Sequence, residues 1–136
     1  MITAVDTNVL LDILGVDPKF GEASAKAMRT CLAEGALVVC TIVWAETATA
    51  FANRAAFARA MDDLSVTFDS ISQEAALDAA EVWRRYRARG GLRTRIAGDF
   101  LIGAHAKSAA DRLLTRDRGF FGRHFSGLKV MDPSKR

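Results

Sequence analysis

The order of apolar runs along the chain predicts an α/β layered fold built on a mostly parallel sheet. Short β-branched or apolar runs recur at "ITAVD", "LVVCT", "SVTFDSI", "RLLTR" and "LKVMD". Stretches with helical spacing fill the gaps between them, and this alternation is what a parallel sheet requires. The two prolines, Pro18 and Pro133, lie near opposite ends, and no Ser/Gly/Pro linker, repeat or low-complexity tract interrupts the middle. Residues 1–136 therefore read as one domain, long enough to bury a proper core.

Each element has a local reason. "ITAVD" is a first short strand that stops at Asp6. "LVVCT", residues 37–41, is a continuous run of the kind buried on both faces of a parallel sheet. "SVTFDSI" alternates Val66 and Phe68 against Thr67, Asp69 and Ile71, the pattern of an edge or half-buried strand. Ser72 can then cap a helix, with Glu74 and Asp78 near its positive end. Leu77, Ala80, Trp83 and Tyr86 are expected on its buried face, and Gly90-Gly91 ends it. A second helix is expected from about Asp99 through Ala110, closely packed at Phe100, Ile102, Gly103 and Ala106. "RLLTR" and "LKVMD" supply the last two strands.

Composition narrows the function classes. Half of the residues are hydrophobic and 26% are charged, which fits a globular protein and not a disordered one. No apolar run approaches the roughly 20 residues that cross a bilayer. The first ten residues hold an acid and no Lys or Arg, unlike a secretory leader. A cytoplasmic location without membrane attachment is the expectation. Cys31 and Cys40 are too few for a disulfide scaffold and lack zinc spacing with His105 or His124. The net charge of +3 suits a phosphate-rich partner without demanding one.

The acids carry more information. In a parallel sheet, ligands gather outside the carboxyl ends of the strands. Asp6 closes the first strand, Glu46 follows "LVVCT" in the first turns of the next helix, and Asp117 closes "RLLTRD". Topology alone delivers those three to one edge; Asp99, where a basic Gly-containing loop becomes a helix, is placed there by inference. Taken singly, each has an ordinary explanation as a cap, a turn acid or a solvated first-turn acid. Together they do not. Carboxylates a few ångström apart repel by about 4 kcal/mol per close pair at an effective dielectric near 20, and a divalent cation removes that cost. Oxygen donors without His or Cys suit Mg²⁺ or Mn²⁺, and such a site performs phosphoryl chemistry.

With those residues in view, the order "VDTNVLLDIL", "VWAETATAF", "AGDFLIGAHA", "LLTRDRGFF" and "GLKVMDP" resembles the PIN-domain ribonucleases, specifically the VapC toxins of VapBC toxin–antitoxin pairs. The resemblance runs from Ile2 to Pro133. It implies a three-layer α/β/α domain, first strand central and helices on both faces of the sheet. It implies that Asp6, Glu46, Asp99 and Asp117 are the catalytic, metal-binding acids, with Asp6 and Asp99 the main ligands. Asn8 and Thr115 would orient carboxylates or metal-bound water. The implied reaction is Mg²⁺- or Mn²⁺-dependent endonucleolytic cleavage of RNA by water, so His105 and His124 are expected to be structural. A homodimer and a small VapB-like antitoxin are the implied partners. The apolar faces of "SAKAMRTCLAEG" and "TATAFANRAAFARAM" are one reasonable place for such contacts.

Arg84, Arg85, Arg87, Arg89, Arg93 and Arg95 follow one another with no acid between them. Arginine forks bind phosphate oxygens well. Arg93 and Arg95, whose loop leads into Asp99, and Arg116 and Arg118, which flank Asp117, are therefore candidate RNA-binding residues. Trp44, Phe51, Trp83, Phe120 and Phe121 are expected mostly in the core. Two rivals differ in class. A haloacid-dehalogenase-like phosphatase would need an acid where Asn8 stands. A catalytically silent PIN-like RNA- or protein-binding module would keep the fold without the chemistry.

Overall fold

The computed structural model describes residues 1–92 and 95–135. The strands β1 (Ile2–Val5), β2 (Ala36–Val39), β3 (Val66–Phe68), β4 (Arg112–Leu114) and β5 (Val130–Met131) form one sheet in the order β3-β2-β1-β4-β5. Every pairing is parallel, with Thr3 opposite Leu37 on one side and Arg112 on the other. The first strand is central, as the resemblance implies. Thr3, Ala4 and Val5 are all buried although successive side chains point to opposite faces, so both faces of the sheet are covered.

The covering helices are α1 (Thr7–Leu14), α2 (Gly21–Glu34), α3 (Thr41–Ala48), α4 (Arg54–Asp63), α5 (Gln73–Ala88), α6 (Ala97–Ala109) and α7 (Arg118–His124). Ser72 caps α5 as anticipated, its hydroxyl accepting the Ala75 N–H at 3.0 Å. Gly90 follows the end of that helix with φ +76°, the left-handed conformation that glycine adopts without strain.

The buried stripe of α5 differs from the expected one. Leu77 is 59% exposed and Ala80 is also exposed, whereas Ala75, Ala79 and Tyr86 are buried. The helix packs chiefly against α6, and its inner line runs through Ala75, Ala79, Val82, Trp83 and Tyr86. Small residues at the first two positions let the helices approach closely, so Leu77 is left on the outer side. The helix that carries Asp99 also begins two residues earlier than expected, at Ala97.

Phe100, fully buried, stacks on Trp83 at 5.6 Å and meets Tyr86 and Phe120 edge-on. This aromatic cluster ties α5, α6 and α7 together next to the strand ends. Gly103 allows the contact between α6 and the segment after α7: a Cβ there would lie 2.4 Å from the Phe125 ring. Trp44, Phe51, Phe57 and the edge-strand residue Phe68 form a second aromatic group at the β3 side. Both cysteines are free and buried. Among the described residues no helix is long and apolar enough to cross a membrane.

Candidate active site

At the carboxyl edge of the sheet, Asp6, Glu46, Asp99 and Asp117 line one open hollow together with Thr7, Asn8 and Thr49. Asp6 follows β1 directly and is 6% exposed. Its Oδ1 accepts the Thr7 N–H at 2.7 Å, so it also caps α1. Its Oδ2 accepts the Thr115 hydroxyl at 2.7 Å and the Asn8 amide at 3.3 Å. Burial pushes the Asp6 carboxyl up to about 6, against the pull of the Thr115 and Thr7 hydrogen bonds; the charges of Asp99 and Glu46 add to the rise.

Thr115 is fully buried and joins two parts of the hollow. While donating to Asp6, its hydroxyl accepts the Asp117 N–H at 3.0 Å. Asn8 reaches the same hydroxyl at 3.3 Å and accepts the Arg116 N–H at 3.2 Å, fastening α1 to the turn after β4. Glu46, exposed in the second turn of α3, accepts the Thr7 hydroxyl at 2.7 Å. Asp99 lies in the first turn of α6, where its carboxylate accepts the Ile96 N–H at 3.4 Å. Partial burial raises its pKa, opposed by the Ile96 N–H and by Arg95.

Asp117 stands at the start of α7 but does not cap it. Its carboxylate instead takes both arms of Arg95, one through Nη1 and one through Nη2 at 3.2 Å. Arg95 Nη1 also lies 3.8 Å from Asp99, and the guanidinium rests over the Phe120 ring at 4.2 Å. The arginine anticipated as a phosphate ligand thus neutralises two of the acids in this arrangement.

The donors fit a hard divalent cation. They are carboxylate oxygens from four separate connections, and a buried Asp6 with an upward-shifted pKa marks a site where negative charge lacks compensation. Among the described residues no three acidic, His or Cys side chains converge tightly enough to grip an ion as they stand. Arg95 supplies the positive charge between Asp117 and Asp99.

The other arginines divide. Arg93 lies outside the described residues. Arg116 donates from Nε and Nη2 to Asp12 at 2.7 and 3.0 Å and covers Phe20, so its fork is engaged within the protein. Asp12, 4% exposed, also accepts the Ser24 hydroxyl at 2.9 Å. Arg118 is exposed at the first position of α7. His105 is buried, its Nε2 lying 2.7 Å from Asp69, and His124 packs against Tyr86 and Phe120. Neither histidine lines the acid hollow. The sequence reading missed Thr7 and Asp12. An acid inside the greasy run "VLLDIL" was the available signal for Asp12; Thr7 offered only its place beside Asp6.

A model of the PIN domain family matches residues 3–123. The chain belongs to that family. The PIN domain is also similar in fold to solved structures. A chain of VapBC2 from Rickettsia felis, bound to a DNA fragment from their promoter, gives a TM-score of 0.75 at 19% identity, covering 97% of this chain and 98% of that one. A chain of VapBC-1 from nontypeable Haemophilus influenzae gives 0.74 at 21% identity, with 99% and 100% covered. A chain of a toxin–antitoxin complex from Klebsiella pneumoniae gives 0.71 at 20% identity, with 98% and 99% covered. No curated protein matches by sequence.

Proposed function

We propose that this PIN domain is a Mg²⁺- or Mn²⁺-dependent endoribonuclease of the VapC toxin kind, acting in the cytoplasm and neutralised by a VapB-like antitoxin. The observation that carries the reading is the meeting of four acids, from four separate connections, in a hollow whose charged donors to an ion are all carboxylates. The antitoxin is supported by the fold likeness to VapBC and toxin–antitoxin complexes, and the homodimer by the family resemblance.

When bound, the ion neutralises a phosphodiester and activates water for in-line attack. Asp6 and Asp99 would hold it, with Asp117, now paired with Arg95, as the neighbouring carboxylate. Asp6 is kept in place by Thr7, Asn8 and Thr115, so its oxygens need little reorganisation. Glu46, exposed and steadied by Thr7, would accept a hydrogen bond from the attacking water and direct it. Arg95, paired with Asp117 and 3.8 Å from Asp99, carries at the edge of the hollow the kind of fork that binds phosphate oxygens.

The test is cleavage of a cellular RNA pool with Mg²⁺, Mn²⁺ or EDTA, followed by mapping of the cut sites. Cutting with either metal, none in EDTA, and loss of cutting in Asp6→Asn and Asp99→Asn are expected. Cleavage that survives EDTA, or an Asp6→Asn protein that cuts at the normal rate, overturns the reading.

A further inference from the structure

The acid hollow opens beside a second feature. A trench of ≈740 Å³ begins at Asp117 and Arg95 and is walled by Arg89, Arg123 and His124. It shares Tyr86, Arg89, Arg123 and His124 with a neighbouring cavity of ≈510 Å³, whose far side carries Arg85 and Lys107. The two form one path over α5, α6 and α7, leading away from the acids.

Arg85, Arg89, Arg123 and Lys107 are all exposed, and among the described residues none has a carboxylate within salt-bridge distance. The buried or half-buried arginines behave differently: Arg95, Arg112 and Arg116 are each paired. The lining acids Asp78 and Glu81 stand at the outer cavity only. Cations without a direct ion-pair partner along one groove repel each other, and a polyanion relieves that repulsion. His124 senses the field: burial, then Arg123, Arg89 and Arg95, hold its pKa below the usual imidazole value.

We infer that this trench is the track for the RNA strand, with Arg89 and Arg123 binding backbone phosphates on the way to the acid hollow. Arg85 in the last turn of α5 and Arg89 at its C-cap are four positions apart, about 6 Å of helical rise, which suits consecutive phosphates of an extended strand. Leu92, 71% exposed on the trench wall, leaves an apolar side chain uncovered beside these cations. The inference rests on the nuclease reading and adds the route of its substrate. It also shifts substrate binding from Arg116, which Asp12 occupies, to Arg89 at the end of α5 and Arg123 on α7.

The experiment measures binding of a fluorescent single-stranded RNA in EDTA across a salt series. It compares wild type, Arg89→Ala/Arg123→Ala, and a control with equal charge loss, Arg54→Ala/Arg59→Ala on α4 at the opposite sheet edge. Thermal unfolding confirms that each is folded. Loss of two phosphate contacts on a single strand should flatten the slope of log K against log salt by about 1.4 in the trench variant. The control should keep close to the wild-type slope, and Arg89→Lys/Arg123→Lys should restore it. Equal slopes in trench variant and wild type, or an equal fall in the control, overturn the track. Hydrolysis of bis(p-nitrophenyl) phosphate by wild type with Mn²⁺ is run separately. Its absence counts against the nuclease reading, while the salt series still decides the track.

Discussion

Replacing Asp6 with Asn should stabilise the metal-free protein above pH 6 and do little at pH 4. The Asp6 carboxyl is held at about 6 in the folded state, against 3.8 for an ordinary aspartate. A folded-state pKa raised above the unfolded value contributes stability that is fully present below 3.8 and is lost as pH rises through about 6. Above that, wild type bears the whole cost of a buried charge. At 1.36 kcal/mol per pH unit the gap amounts to about 3 kcal/mol. An amide escapes that cost but presents an NH₂ where one carboxylate oxygen accepted a hydrogen bond, forfeiting about 1 kcal/mol. The net gain is about 2 kcal/mol at pH 8, or roughly 6–10 °C in Tm for a domain of this size.

Urea titrations of both proteins in EDTA between pH 4 and pH 8 read the effect directly. The difference should open as pH rises and close as it falls. Adding Mn²⁺ should then favour wild type, because the ion rewards the charge that folding alone penalises. A pH-independent difference, or a wild type that is the more stable protein at pH 8 in EDTA, would refute the claim that burial and neighbouring acids frustrate Asp6.

Two further predictions concern neighbouring residues. Arg95→Ala should lower metal-free stability by about 1 kcal/mol, since the pair with Asp117 is partly solvated. It should also enlarge the Tm rise produced by Mn²⁺, because no internal cation then competes for Asp117 and Asp99; a smaller rise than in wild type, by scanning fluorimetry, rejects the counter-ion role. Gly103→Ala should destabilise by about 1–3 kcal/mol, because its Cβ would press on Phe125 at 2.4 Å and the buried ring has little room to retreat. Urea unfolding measures it, and a neutral result would mean that the ring swings aside and the usual Gly-to-Ala helix gain compensates.

The sequence by itself determined the α/β class, the parallel sheet and the places of Asp6, Glu46, Asp99 and Asp117 near strand ends or helix starts. These are local matters. A strand announces itself by its apolar run, a helix by its spacing and cap, and alternation of the two leaves few topologies open. Even the end of α5 at Gly90 follows from one residue's backbone freedom.

What the tertiary structure decided was which side chains face one another across that frame. Leu77 had the right spacing for the core but lies outside, because α6 packs along the line of Ala75 and Ala79. Arg95 carries the marks of a phosphate ligand, yet it grips Asp117, 22 positions away. Arg116 flanks an acid in sequence but binds a different one, Asp12, 104 positions back. Periodicity records only whether a residue faces inward; the partner it meets there depends on how distant segments pack and on where unpaired charge finds its nearest opposite.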